Sequence, residues 1–118
     1  MNNYKELKVW QKSVDLAVKI YESTKNFPRE EMYGLTSQIR RSAISIPSNI
    51  AEGAGRNTKK DFNNFLGISN GSSCELDAQL IIAQRVDFLD ATLLEILQKD
   101  ISEIQKMNWS LQRSLSQD

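Results

Sequence analysis

Apolar side chains recur along the chain at spacings of three and four residues, and this period predicts four amphipathic helices. We expect the first over about Glu6–Lys25 and the second over about Tyr33–Glu52. The third opens at Thr58, its apolar seam reaching Ala83, and the fourth spans about Ala91–Leu115. No segment shows the two-residue alternation of a half-buried strand. Short connections make neighbouring helices antiparallel, so the expected fold is all-α: an antiparallel up-down-up-down four-helix bundle in one domain, residues 1–118.

On two of these helices, apolar or small residues occupy a wider arc of the helix surface than packing within one bundle would bury. The first has an apolar arc of roughly 200°, where a surface helix needs about 100°. The third has two glycines on the side away from its seam, each costing about 1 kcal/mol relative to alanine, which favours a close approach by another helix. We therefore expect the third helix to be the most enclosed and the chain to self-associate. The candidate oligomer interface comprises Val9, Leu16, Ile20, Gly67, Gly71 and Trp109.

Local signals mark helix ends and register. Thr58 followed by Asp61 resembles a capping box that opens the third helix. Gly53 and Gly55 are expected to end the second helix in a left-handed cap. Asn108 falls where the next apolar residue of the fourth seam was due, and a buried asparagine there would fix register and partner number.

Composition removes several classes of chemistry. The chain has no histidine and one cysteine, so the commonest general base and the usual zinc ligand sets are missing. Cys74 has no base to activate it, so we expect a packed thiol. A single cysteine fits a reducing cytoplasm, no secretory signal is visible, and no window approaches the roughly 20 apolar residues of a membrane span. These features predict a cytoplasmic non-enzyme with no cofactor, no metal and no membrane contact.

Charge is unevenly spread although the formal net charge is zero. Residues 1–60 hold eleven Lys/Arg against six Asp/Glu, and residues 61–118 hold four against nine, so the halves carry +5 and −5. Such a chain can pair head to tail with copies of itself, or its two halves can face each other within one monomer. The balance disfavours uniform binding to nucleic acid, which needs excess positive charge.

The segment QIRRSAISIPSNIAEG places polar side chains in one arc beside the apolar stripe of the second helix. They are amides, hydroxyls and one charge of each sign, types that satisfy one another when buried. Glu75 of the third helix is the expected partner of Arg41, because a charge buried alone is costly. A structural network between helices or subunits is favoured over a ligand or nucleic-acid surface, and over a catalytic pocket. The candidate network comprises Gln38, Arg41, Ser45, Asn49, Glu52 and Glu75.

The loop GAGRNTKK joins flexible glycines and basic residues to a helix N-terminus, where a phosphate would be stabilised. An ordinary solvated loop is the favoured alternative. The segment is not a Walker loop, because no glycine directly precedes the lysines and no strand precedes the loop. The candidate phosphate contacts are Arg40, Arg56, Lys59 and Lys60.

Three segments carry a family resemblance: LKVWQKSVDLAVKIY, FPREEMYGLTSQIRRSAISIPSNIAEGAGR and FLGISNGSSCELDAQL. They resemble the bacterial four-helix-bundle proteins first described from intervening sequences in 23S ribosomal RNA genes, from Leu7 to about Leu80. The resemblance implies a homopentamer, and it links the chain to the basic, nucleic-acid-binding accessory proteins of diversity-generating retroelements. It supplies no catalytic residue. Its signature positions are Arg40, Arg41, Ser45, Pro47, Asn49, Glu52, Gly53, Arg56 and Glu75.

Two functional hypotheses follow. The favoured one is a homo-oligomeric scaffold or adaptor, of five copies as the resemblance implies. The alternative is an RNA- or DNA-binding ring that contacts phosphates through the basic residues named above. The near-neutral chain, with a pI near 6.3, differs from the strongly basic relatives that bind nucleic acid.

Overall fold

The computed structural model describes residues 3–117 and consists of four helices. These are α1 (Lys8–Ser23), α2 (Leu35–Ala54), α3 (Lys59–Arg85) and α4 (Ala91–Leu115), with short 3-10 turns before α1 and before α2. No strand occurs within this described range, so the predicted all-α class is confirmed. The helix starts lie within two residues of the predicted ones.

Side chains cap the N-termini of α3, as predicted, and of α4, where no cap was predicted. Thr58 Oγ1 accepts a hydrogen bond from the Asp61 backbone N–H at 3.1 Å, which confirms the cap of α3. Asp90 Oδ1 caps α4 by accepting from the Leu93 N–H at 2.7 Å. Both bonds satisfy amide groups that have no partner within the helix.

The C-terminus of α2 differs from its prediction. Gly55 has φ −83° and ψ −4°, a right-handed conformation, so the expected left-handed glycine cap is wrong. Gly53 lies inside the helix and is buried. A β-carbon at this position would lie only 2.7 Å from Phe65 Cβ and 3.0 Å from Phe62 Cδ1. This glycine allows α2 and α3 to approach closely.

Hydrogen bonds between helices run in opposite residue order along the paired helices. Ser69 of α3 bonds to Ile46 of α2 and Ser72 to Ser45, while along α3 and α4 the bonds join Asp77 to Gln98 and Asn70 to Gln112. In both pairs the residue number rises on one helix as it falls on the other. That is the contact order of antiparallel neighbours, and α4 closes the bundle by contacting α1. These contacts agree with the predicted up-down-up-down arrangement.

The core lies along the inner faces of all four helices. The buried apolar side chains are Val9, Leu16, Ile20, Phe27, Ile39, Ala43, Ile46, Ile50, Ala54, Phe62, Leu66, Leu76, Leu80, Ala83, Leu89, Leu97, Ile101 and Ile104. The helix α2 buries nine of its 20 residues and α3 eight of its 27, so α2 is the more enclosed and the expectation for α3 is wrong.

The predicted interface role of three α1 residues is also wrong. Val9, Leu16 and Ile20 are 4%, 1% and 0% exposed, so each lies in the core of its own chain and has no surface left for a second copy. The wide apolar arc of α1 is divided instead: one side fills the core, and Val18 and Tyr21 remain exposed.

Candidate functional site

A cleft between α2 and α3 gathers much of the polar segment that the sequence singled out. It has a volume of about 320 Å³ and is open to solvent. We call it the α2–α3 cleft; its lining residues are Gln38, Arg41, Ser42, Ser45, Ser72, Glu75 and Gln79. Along each helix the lining residues recur at intervals of three or four, with Arg41 and Ser42 adjacent, which places them on one side of the helix.

The closed end of the cleft is a hydrogen-bonded group. Ser45 Oγ lies 2.8 Å from Ser72 Oγ, and either hydroxyl can donate. Asn49 Nδ2 donates to the Ser45 carbonyl oxygen at 2.8 Å and to Ser45 Oγ at 2.9 Å. Thus Ser45 and Asn49, two members of the proposed network, join α2 to α3 through Ser72, which the sequence reasoning did not include.

Because α2 and α3 are antiparallel, the residues that precede Ser45 on α2 lie opposite the residues that follow Ser72 on α3. Arg41 precedes Ser45 by one turn, and Glu75 follows Ser72 by one turn, so both lie at one level, about 5 Å from the serine pair. Gln38 and Gln79 lie one further turn along. The cleft is therefore a short ladder with hydroxyls, charges and amides on successive levels.

The predicted Arg41–Glu75 ion pair is absent from the described residues. Both side chains are exposed, so the premise that one charge would be stranded in a buried site was wrong. Glu52 lies outside the cleft and pairs with Arg56 at 3.2 Å one turn along the surface, so its place in the network was also wrong. Gln79 Oε1 is buried and accepts no hydrogen bond.

A second polar layer, between α3 and α4, was only partly predicted. Asn108 is 0% exposed, and its Nδ2 donates to Ser69 Oγ at 3.2 Å and to Asn70 Oδ1 at 3.1 Å. Ser69 Oγ in turn donates to the Ile46 carbonyl oxygen at 3.1 Å. The asparagine therefore fixes register inside one chain. The available signal was the occurrence of serine and asparagine on facing apolar seams.

The four candidate phosphate contacts do not gather at one place. Arg40 Nε donates to Thr24 Oγ1 at 2.9 Å, and its guanidinium lies 4.6 Å from the centre of the Tyr21 ring. This arginine therefore holds α2 against the C-terminal end of α1, away from the other three candidate phosphate contacts. Arg56 lies about 24 Å farther along the helix axis, at the other end of the bundle.

The loop end keeps a smaller basic group. Arg56 pairs with Glu52 and lies 4.8 Å from the centre of the Phe65 ring. Lys59 and Lys60 are exposed in the first turn of α3. These three remain the candidate phosphate contacts.

The remaining interface candidates are on the surface. Gly67 and Gly71 are exposed: a β-carbon at Gly67 would find only Gln112 Nε2, at 3.7 Å, and one at Gly71 would find nothing within 4 Å among residues 3–117. Trp109 is 57% exposed, with the Arg113 guanidinium 4.7 Å from its ring centre. Cys74 of α3 is also exposed, so the prediction that its thiol would be packed is wrong.

Charges of the two halves meet within the monomer. Lys12 Nζ lies 2.7 Å from Glu103 Oε2, and Lys19 Nζ lies 2.8 Å from Asp100 Oδ2, so both contacts join α1 to α4. The hydrogen bond between Lys12 and Glu103 raises the pKa of Lys12 and lowers the pKa of Glu103. This favours the interpretation in which part of the charge imbalance is neutralised inside one chain.

Across residues 3–117, no cluster of three His, Cys, Asp or Glu side chains could hold a metal ion. None of the four helices is both long enough and apolar enough to cross a bilayer.

Comparisons with known proteins identify relatives. Residues 5–110 match the family model described as 23S rRNA-intervening sequence protein. The fold is similar to a crystal structure from Bacteroides thetaiotaomicron, a protein of unknown function from the S23 ribosomal protein family. The two share 29% sequence identity with a TM-score of 0.82, covering 89% of this chain and 95% of the other. No curated protein matches the chain.

Proposed function

Because this chain belongs to the 23S rRNA-intervening sequence protein family, we propose that it acts as a homo-oligomeric scaffold or adaptor in the bacterial cytoplasm. It has no catalytic activity of its own in this proposal. The number of copies is five, in line with the family resemblance of the sequence.

One observation carries the proposal: large apolar side chains are half-exposed on two different sides of the bundle. On α3, Ile68 and Ile82 are each 52% exposed. On the α1–α4 side, Val18 is 54% and Ile96 50% exposed. Ile68 and Ile82 share one face of α3, about 21 Å apart along its axis, and exposed apolar side chains are available to contact a partner.

Two unlike patches favour a particular kind of assembly. A contact between one patch and a different patch on the next copy is heterologous, and it closes into a ring when the rotation allows. The open surface at Gly71, on the same outer side of α3, leaves room for the backbone of a neighbouring helix to approach. Gly67, Gly71 and Trp109 remain the interface candidates from the sequence.

The chemistry of the chain supports a non-catalytic role. It has no histidine, and the exposed Cys74 thiol lies 3.7 Å from the neutral Gln105 amide, which is not a base. A nucleophile paired with a general base is the usual sign of covalent catalysis.

Molar mass by light scattering tests the proposal. We expect about 68 kDa for five copies of the 13.5 kDa chain. Ile82→Asn and Val18→Asn, one on each patch, should each lower the mass because they place an amide in an apolar contact. A matched control is Tyr33→Asn, which removes a 94% exposed ring at the end of the bundle and should leave the mass unchanged. A mass of 13.5 kDa for the natural chain at high concentration would exclude the scaffold.

The alternative, an RNA- or DNA-binding ring, is supported by the basic group at Arg56, Lys59 and Lys60. A ring would repeat this group around one rim. Fluorescence anisotropy with labelled 23S rRNA fragments tests it, because phosphate binding weakens steeply with added salt. Lys59→Gln with Lys60→Gln should weaken binding, whereas the matched pair Lys99→Gln and Lys106→Gln on α4 should not. No binding at low salt would exclude the alternative.

A further inference from the structure

The α2–α3 cleft presents one positive and one negative side chain on opposite walls at the same level. Arg41 stands on α2 and Glu75 on α3, and neither forms an ion pair within residues 3–117. The volume of about 320 Å³ is at the lower end of the range for small-molecule pockets, about 300–1,000 Å³. A small ligand that carries both charges would fit between the walls.

We propose that the α2–α3 cleft binds a free α-amino acid, held between Arg41 and Glu75. This inference uses only the cleft residues and needs no oligomer, although Glu75 lies between Ile68 and Ile82 on the same face of α3.

The α3 wall offers hydrogen-bond acceptors. Glu75 supplies an exposed carboxylate, and Gln79, one turn farther, has a buried Oε1 that accepts no hydrogen bond from residues 3–117. An ammonium group has three donors and no acceptor. Placed against this wall, it would neutralise the charge of Glu75.

The α2 wall offers donors. The Arg41 guanidinium can bind a carboxylate through two parallel N–H groups, and such charge-assisted pairs fix the orientation of the ligand. Ser42, one residue on, also lines the cleft and can donate its hydroxyl proton.

The spacing of the charges selects the class of ligand. In an α-amino acid, the ammonium and carboxylate groups are attached to a single carbon atom. Arg41 and Glu75 lie at one level of the ladder, so the two groups can be met together without extending the ligand along the helices. The Ser45–Ser72 pair closes one end of the cleft, and its mouth opens to solvent, so the ligand side chain points outward. Binding should therefore depend on the α-amino and α-carboxylate groups more than on the side chain.

Chemical-shift titration of the full chain tests the inference, with glycine, L-alanine and L-leucine as probes. We expect saturable shifts of the Ser45 and Ser72 amides with a Kd on the order of 1 mM. Acetate and methylammonium, each carrying one of the two charges, are added separately at matched ionic strength. They should bind about tenfold more weakly, because each reaches only one wall.

Variants assign the two walls. Arg41→Gln and Glu75→Gln should each weaken glycine binding about tenfold, with circular dichroism confirming that the helices persist. Arg85→Gln and Glu95→Gln, matched changes of exposed residues outside the cleft, should leave the Kd within about twofold.

Three results would overturn the inference. The first is an absence of saturable shifts with all three amino acids. The second is equal binding of acetate or methylammonium, and the third is unchanged binding by both cleft variants. Light scattering on the same samples keeps the two ideas apart, since an oligomer without amino-acid binding removes the inference and leaves the scaffold standing.

Discussion

Gly53 of α2 lies directly against Phe65 of α3: a β-carbon at Gly53 would stand 2.7 Å from the β-carbon of Phe65. It would also stand 3.2 Å from the Phe62 carbonyl oxygen, which belongs to the backbone and cannot turn aside. The closest approach of these two helices therefore depends on a residue without a side chain.

Gly53→Ala should destabilise the fold. Overpacking a close contact costs about 1–3 kcal/mol, and the gain in helix propensity returns only about 1 kcal/mol. We expect a net loss of up to about 2 kcal/mol in the free energy of unfolding, measured by urea denaturation. An unchanged or raised stability would show that α2 and α3 can separate at no cost.

Gly71→Ala is the matched control and should act in the opposite direction. Nothing among residues 3–117 lies within 4 Å of its β-carbon position, so only the propensity gain of up to about 1 kcal/mol remains. If a second copy covers this face, the same change should lower the mass seen by light scattering. A variant that is less stable and unchanged in mass would contradict both expectations.

Arg40 and Arg41 are adjacent but should respond differently to substitution. Arg40→Gln removes the bond to Thr24 Oγ1 and the contact with the Tyr21 ring, so we expect a loss of about 1–2 kcal/mol. Arg41→Gln removes an exposed charge without an ion-pair partner and should change stability by less than about 0.5 kcal/mol. Thermal melts of the two variants side by side make the comparison. Equal losses would mean that Arg41 has a structural partner after all.

Asn108→Ala should be more harmful than its small change in volume suggests. It leaves the buried Ser69 hydroxyl and the side-chain oxygen Oδ1 of Asn70 without the donor that Asn108 supplies, at a cost of about 2–3 kcal/mol. Asn108→Leu combined with Ser69→Ala removes two of the bonding groups and should restore part of the loss. Urea denaturation of the single and double variants measures the difference. A double variant as unstable as Asn108→Ala would show that packing, and not hydrogen bonding, dominates here.

The Lys12–Glu103 pair gives a defined dependence on pH. Its hydrogen bond lowers the pKa of Glu103 below the ordinary 4.5, so that contribution is present above this value and is lost as pH falls through the folded pKa. The same bond raises the pKa of Lys12 above 10.5, so its contribution is present below that value and is lost as pH rises further.

Glu103→Gln should therefore lower the melting temperature slightly between about pH 5 and pH 10, and by less as pH falls through the folded pKa of Glu103. The effect should shrink as salt is added, because both side chains are partly exposed to solvent. Glu95→Gln, an exposed change on the same helix, serves as the control. A melting difference that does not shrink as pH falls would mean that Glu103 acts through something other than its charge.

The sequence predicted the helices well, because the apolar period and the Thr58 cap are local signals. It predicted less well which face each side chain would meet. Arg40 and Arg41 differ by about 100° around the helix, and only the position of α1 decides that the first is bound and the second is free of ion pairs. Gly53 looked like a cap because the helix ends nearby, yet its role depends on Phe62 and Phe65 of another helix.

The candidate site was predicted in part for the same reason. A helical projection placed Gln38, Arg41 and Ser45 on one side of α2, and Glu75 was correctly assigned to the facing helix. Projection cannot give depth, so it could not show that the cleft stays open and that the two charges remain apart. The wide apolar arc of α1 misled in the same way, since Leu16 and Ile20 fill the core of their own chain.

The hydroxyl of Ser69 joins three helices at once, because it donates to Ile46 of α2 and accepts from Asn108 of α4 while belonging to α3. If any one of these helices separated from the others, a hydrogen bond of the Ser69 hydroxyl would break and leave a polar group without its partner. Slow amide exchange should consequently be lost from α2, α3 and α4 in a single event, while the ends of α1 open by themselves at lower energy.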